Sequence, residues 1–269
     1  MLELTSLDLT AIYGLMLAYI TGRYLLPQYE VGDDGGGRGG GRDGGGITWL
    51  LIRRNLLTLL LSLLLTTFFR SLWWFIGLAA LTVFHTLIDA LIATGQKRYK
   101  DSTFQFAIAE PMIHLIAIFT FWIALRTITP SLGVAFHPRL DLALINRALL
   151  YATGYIFVLE GGTEIVRGIL RPLQTATRGE VAAAPKSISA EEPGAGKIIG
   201  NLERFLILTL VILEEYTAIA FVLTAKSVAR FRELEERGFA EYYLIGTLTS
   251  TLVAIIVGLL LTVLPITVE

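Results

Sequence analysis

LWWFIGLAALTVFHTLIDALIATGQKRYKDSTFQFAIAEPMIHLIAIFTFWIAL, residues 72–125, decides the fold. Two apolar runs, Leu72 to Thr94 and Phe104 to Leu125, are each long enough to cross about 30 Å of hydrocarbon as a helix. The basic stretch GQKRYKDST between them is too polar to follow, so the pair reads as a transmembrane hairpin. Trp73 and Trp74 at its start read as an interfacial belt, and Pro111 is tolerated in a span where neighbouring helices support the freed backbone.

Outward from this hairpin the chain keeps the same character. Of 269 residues, 54% are hydrophobic and 17% charged, with mean hydropathy +0.65, more apolar surface than a soluble domain can hide. A first span runs from Leu7 to Leu26 and a second from Ile47 to Phe69, separated by the Gly-rich linker 31–46, which can bury nothing. The acidic start MLELTSLDLT lacks a basic n-region, so the first run is expected to be a retained span and not a cleaved leader. A weaker fifth run covers Leu142 to Leu159 and continues to Arg171. Residues 172–196, rich in Ala, Pro, Ser, Thr and Gly, read as a flexible linker between an N-terminal module, 1–171, and a C-terminal one, 197–269. That second module reads as one long helix from Lys197 to Arg237 followed by a span from Tyr242 to Leu264. The expected fold is an all-α polytopic bundle of about six or seven spans in a bacterial inner membrane.

Acids and bases nearly cancel, 23 against 22, and the bases sit between apolar runs, which excludes a nucleic-acid partner. No cysteine is present, so the acids and three histidines are the only strong metal donors. His85 and Asp89 on the third span, and Glu110 and His114 on the fourth, are each spaced i, i+4 and share a helix face. In an antiparallel hairpin, residues at one depth have position numbers of constant sum; His85 with His114 and Asp89 with Glu110 meet that condition. Two imidazoles and two carboxylates at one level match a divalent site, zinc first, and imply hydrolysis of a lipid-like substrate by metal-activated water. The same four side chains also suit a hydrogen-bonded clasp of the hairpin or a proton or ion pathway. His137, beside Pro138, reads as an ordinary exposed histidine.

In the second module Arg204, Glu215 and Lys226 recur every 11 residues, which on one continuous helix aligns them in a stripe, with Arg230 one turn beyond Lys226. Such charges must face protein or water. They would shape a polar cavity for an anionic lipid or small-molecule ligand, or form an interhelical salt-bridge network with Glu241, Arg53, Arg54, Glu160 or Glu164.

Three stretches, LAYITGRYLLPQ, FHTLIDA and AEPMIH, resemble the motifs AHLLGDFLLQ, SHLLID and DQ-x-x-H of an uncharacterised family of bacterial multi-pass membrane proteins. The C-terminal stretch from Gly196 resembles that of longer members. The resemblance implies family positions for His85, Asp89 and His114, with Glu110-Pro111 replacing the usual acid-amide pair. The first motif departs, carrying Tyr19 and Arg23 in place of His and Asp, which would let Arg23 pair with an acid.

Overall fold

The computed structural model describes residues 5–25, 45–66, 71–98, 103–128, 141–170 and 195–264. The linkers 31–46 and 172–196, each apart from its last two residues, and His137 lie outside them. Every regular element among the described residues is helical: α1 (Ser6–Leu25), α2 (Gly45–Leu65), α3 (Leu72–Arg98), α4 (Thr103–Ile128), α5 (Leu142–Leu170), α6 (Ala195–Ile212), α7 (Tyr216–Ala229) and α8 (Arg237–Val263). Leu72–Gly95, Ile108–Ile128, Leu142–Leu170 and Arg237–Val263 are long and apolar enough to cross a membrane. The other four helices are α1, α2, α6 and α7; Arg53 and Arg54 lie within α2, Lys197, Glu203 and Arg204 within α6, and α7 has only 14 residues.

The chain divides into two compact units between Thr153 and Gly154, inside the continuous α5. In the first unit α1 packs on α2, α2 on α3, α3 on α4, and α4 back on α1, closing a four-helix ring. Its interior is filled by Ile12, Leu15 and Ile20 of α1, Trp74 and Leu78 of α3, and Ile118 and Trp122 of α4. The two indoles meet edge to face, 5.8 Å between centroids, and Trp74 Nε1 donates to Thr66 Oγ1 at 3.1 Å. The expected tryptophan belt is therefore split. Trp73 is 55% exposed, but Trp74 is 1% exposed and belongs to the core, because successive helical positions point about 100° apart. A Cβ on Gly22 would overlap Thr58 Oγ1, so this glycine lets α1 and α2 approach closely.

The distribution of polarity is the reverse of a soluble protein's. Asp8, Arg23, Asp89 and Glu110 are buried, while Leu72, Phe75, Val83, Phe84, Leu87 and Leu91 of α3 are exposed. Apolar flanks around a charged interior suit hydrocarbon and not water, and the protein is an integral membrane protein.

In the second unit the end of α5 and α8 pack on α6, and α7 folds back on α6. The single helix expected from Lys197 to Arg237 is interrupted. Glu214 takes φ 61°, the left-handed region, with Glu215 N–H bonded to Leu210 O at 2.8 Å and Glu214 N–H to Val211 O at 3.0 Å. This pair of bonds ends α6 in a Schellman turn. Lys226 then reaches Glu203, so α6 and α7 form an antiparallel hairpin centred on Glu214.

Candidate functional site

The regular spacing on α3 and α4 brings His85, Asp89, Glu110 and His114 together in the first unit. His114 is wholly buried, and its Nε2 lies 3.0 Å from Asp89 Oδ1. The two imidazoles pack edge to face with centroids 4.7 Å apart. Tyr19 of α1 closes the triangle, stacking on His114 at 4.6 Å and meeting the edge of His85 at 5.6 Å.

Two arginines from the other helices of the ring meet the acids. Arg23 of α1 pairs with Glu110, and Arg54 of α2 sits 2.5 Å from Asp89 Oδ1 and 3.7 Å from Glu110 Oε1. Asn55 Nδ2 donates to Asp89 Oδ2 at 2.7 Å. An Asp89 so engaged is an acceptor only, so His114 Nε2 carries the proton toward it and Nδ1 keeps the lone pair. That Nδ1, His85 Nε2 and Tyr19 OH are buried without a hydrogen-bond partner.

Asp89, Glu110 and His114 each offer a ligand atom within 4.8 Å of the others and could hold a metal ion; His85 is not part of that group. The nitrogen and carboxylate donors suit zinc or another borderline divalent ion. Both carboxylates are nevertheless occupied by guanidinium groups, and a cation would have to displace them or share their oxygens.

Sequence reasoning placed Arg54 among partners for the second module; in the structure it serves Asp89 and Glu110. It did not identify Asn55, nor the ion pair at the other end of the ring, where Arg126 Nε lies 3.1 Å from Asp8 Oδ1. The available signal was positional, since Asp8 lies in the first turn of α1 and Arg126 in the last turn of α4. Asp8 and Arg23 are separated along α1 by about 22 Å, and the interval holds buried apolar side chains of α1 together with the buried hydroxyl residues Thr58 and Ser62 of α2 and Thr66 at its end.

The second unit does not contain the expected charged stripe. Because α6 ends at the Glu214 turn, Glu215 is exposed at the start of α7, while Arg204 is buried. Lys226 pairs with Glu203 and lies 5.6 Å from the Tyr243 ring; Arg230 caps the end of α7. Arg204 instead pins α6 to both neighbours, donating to Ser250 Oγ of α8 at 3.1 Å and to Leu159 O and Thr163 Oγ1 of α5 at 3.1 and 2.5 Å. The helix widens into a π-turn over Phe157–Gly161, where Gly162 N–H reaches back to Phe157 O, and such a turn frees carbonyls for side chains. A Cβ on Gly162 would lie 2.9 Å from Arg204 Cδ, so the arginine stem needs this glycine. No family model, no curated protein and no solved structure matches the chain.

Proposed function

We propose that this chain is a non-enzymatic, multi-pass subunit of the bacterial inner membrane, held in register by a buried ionic clasp. With α1, α2 and the α6–α7 hairpin counted beside the four long helices, it would make about six or seven crossings or partial crossings. The observation that carries the reading is that each acid of the cluster faces an arginine from another helix, Glu110 with Arg23 and Asp89 with Arg54. Charges in a span are tolerated when they pair inside the bundle. Membership in the resembled family would make Arg23 a basic replacement in its first motif, again favouring a clasp over a metal.

A second reading is a divalent metal site, zinc by donor type, in a protein with hydrolase-like chemistry on a lipid-like substrate. Its support is the convergence of Asp89, Glu110 and His114 within 4.8 Å. Elemental analysis of detergent-purified protein beside a His85→Ala/His114→Ala double variant separates the two. Near-stoichiometric metal in the parent, lost in the variant, would replace the clasp with the metal reading. A metal-free parent whose stability is unchanged by chelator is the expected result.

A further inference from the structure

Arg204 is 3% exposed, and among the described residues no carboxylate pairs with it. The acids whose fields reach it are committed elsewhere: Glu203 to Lys226, and Glu160 to Lys197 at 2.9 Å. Its partners are all neutral oxygens, those of Ser250, Leu159, Thr163 and Asn201, the last at 2.6 Å. A buried cation without a counter-charge is disfavoured in a membrane protein and marks a site where an anion would be welcome.

The arginine also has unused donors. A guanidinium carries five N–H groups; Nη2 makes three of the contacts, Nη1 makes one, and Nε makes none. There is room beside them. A Cβ on Gly200, one turn before Arg204, would lie 3.5 Å from Nη1 and 3.9 Å from Nη2, with no other non-local atom within 4 Å. The head of the arginine therefore faces an atom-sized opening, although its stem is tightly packed against Gly162. Asn201 is half-buried next to the opening, and its Oδ1 is held by both Arg204 and Thr163, leaving its Nδ2 as a second donor.

We propose that the Gly200 face of Arg204 is a binding site for a phosphate-class oxyanion, contacted by Arg204 Nη1 and Asn201 Nδ2. The anion supplies the charge that the protein does not. A lipid headgroup and free inorganic phosphate share this chemistry.

The test uses the full chain in neutral detergent. Binding is measured by calorimetry and by the shift in unfolding midpoint, with inorganic phosphate in one arm and phosphatidylglycerol against phosphatidylcholine in the other. The anion is expected to raise the midpoint of the parent. Gly200→Ala fills the opening with a methyl group while leaving Arg204 in place, and should bind about tenfold more weakly, the equivalent of one charge-assisted hydrogen bond. Arg204→Gln should lose binding as well. A response to phosphatidylglycerol alone identifies a headgroup site; a response to phosphate in addition shows that the free anion suffices. No response to either anion, or undiminished binding by a folded Gly200→Ala variant, would overturn the proposal.

Discussion

Replacing Arg23 by methionine removes one half of a pair whose members are both less than a tenth exposed, and leaves Glu110 in the ring without its main counter-charge. The nearest substitute is Arg54, but it is 3.7 Å from Glu110 and already held by Asp89 at 2.5 Å, so it cannot serve both equally. Breaking a buried ion pair on one side costs about 3–5 kcal/mol, because the remaining charge stays desolvated. Replacing both partners with apolar groups of similar shape, Arg23→Met/Glu110→Leu, removes the orphaned charge and should recover most of that loss. Equilibrium denaturation of the detergent-solubilised protein, followed by circular dichroism or tryptophan fluorescence, completes the double-mutant cycle. Two results would refute the clasp. One is a loss below about 1 kcal/mol in the single variant, the size of an exposed pair. The other is a double variant whose loss equals the sum of the singles, which means no coupling. The exposed Arg237–Glu241 pair on α8 is the internal control, and its removal should leave the midpoint nearly unchanged.

Three other perturbations probe separate features. Glu214→Gly should stabilise the second unit by about 1 kcal/mol, since the left-handed conformation at φ 61° penalises a side chain but not glycine; an unchanged or lowered midpoint contradicts this. Gly162→Ala should destabilise by about 1–3 kcal/mol despite alanine's better helix propensity, because its Cβ would be 2.9 Å from an Arg204 stem fixed by four hydrogen bonds. A rise in the unfolding midpoint would show that the arginine is free to move. Trp74→Phe should lower stability and leave Thr66 Oγ1 without its indole donor, whereas Trp73→Phe, altering an exposed ring, should change the midpoint little. Equal effects at the two positions would contradict the split between core and surface.

Helix type and membrane residence were legible because they rest on local quantities: the length of apolar runs and the polarity of the segments between them. The His85–Asp89 and Glu110–His114 pairs were legible for the same kind of reason, since i, i+4 spacing fixes a shared face and a short loop fixes the level. The second module departs from its expected form at one point. The 11-residue recurrence of Arg204, Glu215 and Lys226 holds only on an unbroken helix, and the break at Glu214 uses neither glycine nor proline, so no sequence punctuation marked it. Its effect is large, because a chain reversal turns residues of one supposed stripe into an ion pair across a hairpin, a buried arginine and an exposed glutamate.

By itself the sequence determined that the chain is helical, that it belongs in a bilayer, and which two helices bring imidazoles and carboxylates to one depth. Only the tertiary structure decided what those carboxylates face. Arg23 and Arg54 come from helices distant in sequence from Glu110 and Asp89, and whether an acid meets a cationic side chain or an open coordination position depends on helix rotation within the ring. The same holds for Arg204, whose neutral partners come from the widened turn of α5 and from α8. Periodicity specifies the face a residue occupies; packing against other helices specifies its partner, and in hydrocarbon the partner determines whether a charge is a clasp or a site.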